Sequence, residues 1–136
     1  MAPVLHVLIA DDDDSIRGLL ATILGTSEWS VDLVTNGVDA IRAFADRHYD
    51  LVITDLEMPG LTGFELTKAI RHLNSTVAVV MITACAPADI DSSKVTELGI
   101  HHVIYKPFQI TEILALKNML LEQPAGPVTD FQPRQA

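Results

Sequence analysis

The sequence predicts an α/β fold in which five parallel strands form one doubly wound sheet, accompanied by five helices. Strongly apolar segments alternate with amphipathic segments, and five such pairs follow one another along the chain. The apolar segments are rich in Val, Ile and Leu, as strands are when helices cover both faces of a sheet. Right-handed crossovers between parallel strands then distribute the helices over the two faces.

The first two strand–helix pairs occupy the N-terminal third of the chain. The first strand is predicted over 4–11, where the apolar run is nearly continuous, and the second over 29–36, where apolar and polar residues alternate. The first helix is predicted over 15–24 from apolar residues at helical spacing, and Gly25 stops it. An Asn-Gly turn ends the second strand, and the second helix follows from Val38.

The third pair consists of a short buried strand over 50–55 and an amphipathic helix over 64–73. Between them, the loop at 58–63 contains one proline and two glycines, which break regular structure.

The last two pairs complete the alternation. The segment 77–84 is the most apolar and is predicted to be a central strand, followed by a weaker helix at about 89–98. A fifth strand is predicted over 101–106 and a fifth helix over 110–121. The segment 122–136 contains three prolines and is interpreted as a flexible tail or the start of a linker.

Composition limits the function classes. With 136 residues, 49% of them hydrophobic, the chain is long enough for one domain, predicted over 1–121. The formal net charge of −9 argues against direct nucleic-acid binding. No apolar stretch reaches the roughly 20 residues that a membrane helix needs. Cys85 is the only cysteine, which fits a cytoplasmic location.

Polar residues collect where the predicted strands end. They are Asp11 and Asp12 after the first strand, Asp55 at the end of the third, Thr83 and Ala84 at the fourth, and Lys106 at the fifth. In doubly wound folds, ligands bind at the carboxyl ends of the strands. We therefore expect three carboxylates, a hydroxyl and an ammonium group to converge on one edge of the sheet.

This set of groups suits phosphoryl transfer. Clustered carboxylates need a cation or protons, and hard oxygen ligands with open positions suit Mg²⁺. A carboxylate beside Mg²⁺ can accept a phosphoryl group. Lys106 supplies positive charge, Thr83 supplies a hydroxyl, and Ala84 leaves room for the incoming group. The residues thus predict formation and hydrolysis of an acyl phosphate on one aspartate.

The sequence resembles the receiver domain of two-component response regulators. The resemblance rests on LIADDDDSIR, LVITDLEMPGLTGFEL, VVMITA and YKPF, in this order, and spans about Val4 to Leu121. It implies a CheY-like, flavodoxin-like strand order of 2-1-3-4-5. It also implies a switch that assists its own phosphorylation and dephosphorylation, not an enzyme acting on a separate substrate.

The resemblance implies a role for each residue of the set. Asp55 would be the phosphoacceptor. The ligands of Mg²⁺ (or Mn²⁺) would be Asp11, Asp12, Asp55 and the backbone carbonyl of Glu57. The residues that bind the phosphoryl group would be Thr83, Ala84 and Lys106, with a cis peptide bond between Lys106 and Pro107.

The resemblance also implies partners. A histidine kinase or a phosphotransfer protein would donate the phosphoryl group, and an output domain or protein would respond. The responding surface would be formed by the fourth helix, the fifth strand and the fifth helix, and a homodimer through this surface is compatible with the family pattern.

Two features bear on the switch. Receivers usually carry Tyr or Phe three positions before the lysine, where this chain has Val103, so the usual threonine–aromatic switch is in question. Tyr105 is expected to share the side of the strand with Val103 and is an alternative switch residue. Glu57 and Cys85 occupy the two positions that tune the lifetime of the phosphoryl group in the family.

Other acidic and metal-binding residue types have simpler interpretations. Asp13 is predicted to cap the first helix, and Asp14 to lie in its first turn, where the positive helix end favours acids. His101 and His102 are adjacent and point to opposite faces of a strand, so we do not expect them to share a metal ion.

Three other functions compete with the phosphoryl switch. A degenerate receiver would bind partner proteins without phosphorylation, and Val103 favours this alternative. A phosphatase of the haloacid-dehalogenase type requires a second aspartate where this chain has Glu57. A flavodoxin-like cofactor binder needs hydrogen-bond donors after the first strand, where four aspartates would repel a phosphate.

Overall fold

The computed structural model describes residues 4–26 and 28–122, and its regular elements alternate between strand and helix. The strands are β1 (Leu5–Ala10), β2 (Trp29–Val34), β3 (Leu51–Asp55), β4 (Ala78–Thr83) and β5 (His102–Tyr105). The helices are α1 (Asp14–Leu24), α2 (Gly37–Asp46), α3 (Gly63–Leu73), α4 (Ser92–Glu97) and α5 (Ile110–Glu122), with a 3₁₀ turn at Pro87–Asp89. All strand pairs are parallel, in the order β2-β1-β3-β4-β5. The predicted fold class and strand order are confirmed.

The sheet separates two apolar cores. Within β1, Val7 and Ile9 belong to the core that includes residues of α1 and α5. Leu8 and Ala10, which alternate with them, belong to the core that includes residues of α2 and α3, and α4 also packs against this second core. Since all four side chains are fully buried, β1 shows no apolar–polar alternation, as a strand covered on both faces requires.

Polar side chains set the points at which several helices begin. The Asp13 carboxylate accepts hydrogen bonds from the backbone N–H groups of Ser15 and Ile16, which confirms its predicted role as the N-cap of α1. Asn36 accepts from the N–H of Asp39 and caps α2. The Asn-Gly pair predicted as a separate turn is therefore the beginning of this helix.

The fourth helix is shorter than predicted. The pattern indicated a helix at about 89–98, whereas α4 begins only at Ser92. The reason is that Asp91 accepts a hydrogen bond from the N–H of Lys94 and caps the helix there. The preceding Asp89 belongs to the 3₁₀ turn instead. Gly99 follows the helix with φ of +66°, a left-handed conformation that favours glycine and ends the helix.

The predicted tail lies almost entirely outside the described residues. α5 extends through Glu122, one residue beyond its predicted end, and the rest of the proposed 122–136 tail is not described. None of the helices within residues 4–26 and 28–122 combines the length and the apolar character needed to cross a membrane.

The start of α3 packs closely against the end of β3. Thr62 and Glu65 form a capping box in which each side chain accepts a hydrogen bond from the other's backbone N–H. This places Gly63 against the strand end, where a Cβ atom would lie 2.6 Å from the Asp55 carbonyl oxygen and 2.9 Å from the Leu56 Cα atom. Glycine at this position lets the helix and the strand end approach each other.

We expect Gly63→Ala to lower the free energy of unfolding by about 1–3 kcal/mol, because the new methyl group meets backbone atoms that cannot move independently. Gly18→Ala is the matched control, since nothing lies within 4 Å of the Cβ position of Gly18 in the middle of α1. That change should raise stability by about 0.5–1 kcal/mol through helix propensity. Urea unfolding measures both, and equal effects of the two substitutions would contradict the close-packing argument.

Candidate functional site

The two central strands bring Asp11 and Asp55 to the same edge of the sheet. β1 and β3 are neighbours, and Ala10 pairs in register with Thr54. Asp11 follows Ala10, and Asp55 follows Thr54. Because the two strands are parallel, both aspartates lie at the carboxyl edge of the sheet. Both side chains are almost completely buried, with exposed fractions of 1% for Asp11 and 5% for Asp55.

Asp11 is held by the loop that follows β1. Its Oδ1 atom accepts a hydrogen bond from the backbone N–H of Asp13 at 2.9 Å. Its Oδ2 atom is buried and makes no hydrogen bond with the described residues, although the Lys106 Nζ atom lies 3.5 Å away. Arg17 donates to the Asp11 carbonyl oxygen at 2.7 Å and also pairs with Asp14, which ties this loop to α1.

Asp55 is the most strongly perturbed carboxyl group of the site. Its Oδ1 atom accepts from the backbone N–H of Glu57 at 3.3 Å, and its Oδ2 atom lies 3.3 Å from the Lys106 Nζ atom. Burial, followed by repulsion from Asp11, raises the pKa of Asp55 to about 6 despite the opposing effect of Lys106. The negative charge on Asp55 is therefore costly, and positive charge from a ligand would lower that cost.

Lys106 is the cation that the two buried carboxylates share. Its backbone N–H donates to the Thr83 carbonyl oxygen at 2.7 Å, which fixes the strand end. Burial lowers the pKa of Lys106, but Asp11 and Asp55 outweigh this effect, so the net pKa lies above its ordinary value. The peptide bond between Lys106 and Pro107 is cis, as predicted.

The carboxylates are arranged in a way that suits a hard divalent cation. One oxygen atom from each of Asp11, Asp12 and Asp55 lies within 4.8 Å of the others. The Asp11 Oδ2 atom is a buried acceptor without a hydrogen bond, while Asp12 is exposed and leaves the group open to water. Carboxylate oxygens with room for water ligands match the preference of Mg²⁺. The predicted contribution of the Glu57 carbonyl stays a prediction.

Thr83 lies beside this cluster, but its hydroxyl group points to other partners. It donates to the Glu57 Oε1 atom at 3.2 Å and accepts from the backbone N–H of Cys85 at 2.9 Å. Thr83 is fully buried, whereas the following Ala84 is exposed at the rim of the site. Sequence reasoning did not predict the Thr83–Glu57 contact, because 26 positions separate the two residues.

The sheet register places Val103 and Tyr105 relative to β4. Val103 pairs with Met81, and Tyr105 pairs with Thr83. Val103 is half-buried and packs against the same core as Met81. Tyr105 is half-buried beside Thr83, and burial, followed by the charge of Cys85, raises its pKa. The residue that lies next to Thr83 in the register is therefore the aromatic Tyr105, whereas Val103 lies next to Met81.

Within the described residues, Cys85, His101 and His102 do not belong to the group of side chains that could hold a metal ion. Desolvation, followed by the nearby Asp89 and Glu57 carboxylates, raises the pKa of Cys85 and disfavours its thiolate. The His101 Nδ1 atom accepts a hydrogen bond from the backbone N–H of Val79. Burial lowers the pKa values of both His101 and His102.

The fold and this site define a class of protein, and comparison with known families identifies it. Residues 7–118 match the family model of the response regulator receiver domain. The chain belongs to this family.

Curated relatives contain this domain within longer proteins. The sensor protein EvgS of Escherichia coli K12 is 39% identical over 106 residues, which cover 78% of this chain and 9% of EvgS. The uncharacterized transcriptional regulatory protein YkoG of Bacillus subtilis is 34% identical over 120 residues, covering 87% of this chain and 51% of YkoG. The chain therefore spans about half, or much less, of the length of these relatives.

Solved structures share the fold over most of the chain. The chemotaxis response regulator CheY4 of Vibrio cholerae has a TM-score of 0.77 and 26% identity, covering 86% of this chain and 98% of CheY4. The response regulator TrrA of Thermotoga maritima, solved in complex with Mg²⁺-BeF, has a TM-score of 0.73 and 29% identity. That comparison covers 86% of this chain and 99% of TrrA.

The raised pKa of Asp55 predicts a pH-dependent gain in stability for Asp55→Asn in metal-free buffer. Because the pKa is about 6 in the folded protein and ordinarily 3.8, the carboxylate costs stability progressively as the pH rises from about 4 to about 6. The substitution removes this cost and leaves Lys106 its second partner, Asp11. We expect a gain of about 1–2 kcal/mol at pH 7 that shrinks towards pH 4.

Urea unfolding of both proteins across this pH range measures the difference. Asp46→Asn, which removes an exposed charge at the end of α2, controls for the change in net charge. A gain that is equal for the two substitutions at every pH would contradict the assignment of the cost to the buried site.

Proposed function

We propose that this chain is a phosphoacceptor receiver that takes a phosphoryl group onto Asp55 and transmits the change to partner proteins. One observation carries the proposal: the buried Asp55 carboxylate lies 3.3 Å from the Lys106 Nζ atom, within a cluster of acidic oxygens open to solvent at Asp12. In this proposal, Asp55 is the nucleophile, Lys106 is the cation for the transferred group, and the exposed side at Asp12 is the entrance.

The proposed reaction is transfer from a phosphohistidine of a histidine kinase or a phosphotransfer protein. A carboxylate oxygen of Asp55 attacks the phosphorus atom, and a phosphorus–oxygen bond forms as the phosphorus–nitrogen bond breaks. The electron pair of the broken bond goes to the imidazole nitrogen. Lys106 and the Thr83 hydroxyl then bind phosphoryl oxygens, and Ala84 leaves space for them. Water later hydrolyses the acyl phosphate, and Glu57 and Cys85 are proposed to tune this step.

The residues present fit a divalent cation in the same site. Asp11, Asp12, Asp55 and the Glu57 carbonyl are the proposed ligands of Mg²⁺, with Mn²⁺ as a substitute. When bound, the metal would supply positive charge that offsets the carboxylates and the developing charge on the phosphoryl oxygens. The solved Mg²⁺-BeF complex of TrrA supports this proposal by analogy.

The proposed output surface is formed by α4, β5 and α5. A phosphoryl group adds negative charge beside Thr83, the last residue of β4, which pairs in register with Tyr105 of β5. The surface would then favour an output domain or protein, and a homodimer through α4–β5–α5 belongs to the same proposal. EvgS and YkoG illustrate contexts in which a receiver forms part of a longer chain. The cytoplasmic location expected from the sequence stays a prediction.

A phosphorylation-independent binding module is the second candidate, and Val103 is the observation that favours it. Val103 packs against the core and offers no aromatic ring to follow the movement of Thr83. In that function, the same surface would bind partners with Asp55 unmodified.

Intact mass spectrometry after incubation with Mg²⁺ and acetyl phosphate separates the two functions. We expect the parent protein to gain one phosphoryl group and Asp55→Asn to gain none, because the amide cannot act as the acceptor. The pH-dependent unfolding experiment establishes that the variant is folded. A parent that gains no phosphoryl group from either acetyl phosphate or a phosphorylated histidine phosphotransfer domain would overturn the proposed function in favour of the binding module.

We also expect Mg²⁺ to raise the melting temperature of the parent protein, because a ligand that binds only the folded state stabilises it. Asp12→Asn should shift the apparent Kd upward by about tenfold or more through loss of one charged ligand. Asp13→Asn is the matched control, since asparagine caps a helix about as well as aspartate. Thermal scans at increasing Mg²⁺ concentrations measure the Kd values. Equal losses of affinity in the two variants would contradict the ligand assignment.

A further inference from the structure

The Thr83 hydroxyl makes two hydrogen bonds, and neither of them involves the proposed phosphoacceptor Asp55. It donates to the Glu57 Oε1 atom at 3.2 Å and accepts from the backbone N–H of Cys85 at 2.9 Å. Among the hydrogen bonds of residues 4–26 and 28–122, the Asp55 carboxylate pairs instead with the Glu57 N–H and Lys106. Thr83 therefore makes no hydrogen bond to the Asp55 carboxylate in this arrangement.

A hydroxyl group has a single proton to donate. If Thr83 is to bind a phosphoryl oxygen on Asp55, its proton must leave the Glu57 carboxylate. The two acceptors therefore exclude each other, and a hydrogen bond to an ionised carboxylate is stronger than one between neutral groups. The free energy of the Thr83–Glu57 contact opposes the phosphoryl-bound arrangement of Thr83.

Glu57 contacts both Asp55 and Thr83. Its backbone N–H donates to the Asp55 Oδ1 atom, and its side chain accepts from Thr83. The residue follows Asp55 by only two positions, so its backbone contacts Asp55 while its side chain contacts Thr83. The exposed position of Glu57 also gives its carboxylate room to turn into solvent when released.

The aromatic position offers no equivalent restraint on Thr83. Val103 pairs with Met81 rather than with Thr83, and its side chain packs into the core. Tyr105 lies beside Thr83 in the register, but the hydrogen bonds of the threonine hydroxyl go to Glu57 and Cys85. In this part of the described chain, the Glu57 carboxylate accepts the threonine's proton, and the Cys85 N–H is the second polar group that contacts the hydroxyl.

We propose that Glu57 is a positioning residue that holds the Thr83 hydroxyl away from Asp55 in the unphosphorylated protein and competes with the phosphoryl oxygen for its proton. This inference rests on the proposed function. It assigns Glu57 a role in the position of the switch equilibrium, which is distinct from tuning the rate of hydrolysis.

The test is the affinity of the protein for beryllofluoride, a phosphoryl mimic, in the presence of Mg²⁺, measured by isothermal titration calorimetry. Glu57→Ala removes both the charge and the hydrogen-bond acceptor, while Glu57→Gln removes the charge and keeps a side-chain oxygen as acceptor. If Glu57 acts only through charge repulsion, the two variants bind the mimic equally. We expect Glu57→Ala to bind about threefold to tenfold more tightly than Glu57→Gln.

The same two substitutions in a Thr83→Val background supply the control. Valine keeps the shape of threonine but has no proton to donate, so the difference between Ala and Gln at position 57 should disappear there. The rotamer of Thr83, read from methyl three-bond couplings in the free protein, provides a second readout. We expect one dominant rotamer in the parent and a larger population of a second rotamer in Glu57→Ala, where the Cys85 N–H is the remaining partner of the hydroxyl.

The outcomes separate this inference from the proposed function. Binding by the parent, combined with equal affinities of the Ala and Gln variants, overturns the inference and leaves the proposed function intact. A difference that persists in the Thr83→Val background, or a Thr83 rotamer that is unchanged in Glu57→Ala, also overturns it. A parent that binds no beryllofluoride and also gains no phosphoryl group in the intact-mass experiment overturns both.

Discussion

Two buried carboxylates that share one lysine are the interaction on which the rest of the site depends. Asp11 and Asp55 lie within 3.5 Å of the Lys106 Nζ atom, and both are almost completely buried. One cation cannot offset two buried anions, and the pKa of Asp55 is raised accordingly. The site therefore carries excess negative charge, which a divalent cation would offset. Additional negative charge on Asp55 would strongly increase the repulsion there.

The two apolar cores stabilise the fold against the free-energy cost of holding these charges together. The central strands are covered by two cores, so the strand ends cannot move apart without exposing buried apolar surface. The approach of α3 to β3 at Gly63 closes the same edge from the loop side. Arg17 fixes the loop after β1 through the Asp11 carbonyl oxygen. The acidic groups are therefore preorganised by packing and not by mutual attraction.

The four consecutive aspartates show how position within the fold decides what a charged residue does. Asp11 is buried against Lys106, while Asp12 is exposed at the mouth of the acidic cluster. Asp13 caps α1, and Asp14 lies in its first turn and pairs with Arg17. Repulsion within the run is reduced because its members face different partners and different solvent environments.

The fold and most of the candidate site could be predicted from the sequence alone. Apolar periodicity depends on burial, so β1–β5 were predicted to within one or two residues, and the strand ends led to the cluster of acidic residues. The β-α alternation predicted a parallel sheet, and the resemblance predicted the order of its strands. Asp13 was predicted as a cap because capping is a local interaction.

Only the tertiary structure decided the contacts that depend on loop paths. Glu57 and Thr83 are 26 positions apart, and neither the periodicity nor a motif indicates that an exposed carboxylate meets a buried hydroxyl. The Asp91 cap that shortens α4 is, by contrast, a local contact that the sequence pattern could have indicated. The physical reason is that burial patterns are repeated along a chain and can be detected in it, whereas a single side-chain contact between two loops is specified by the folded backbone.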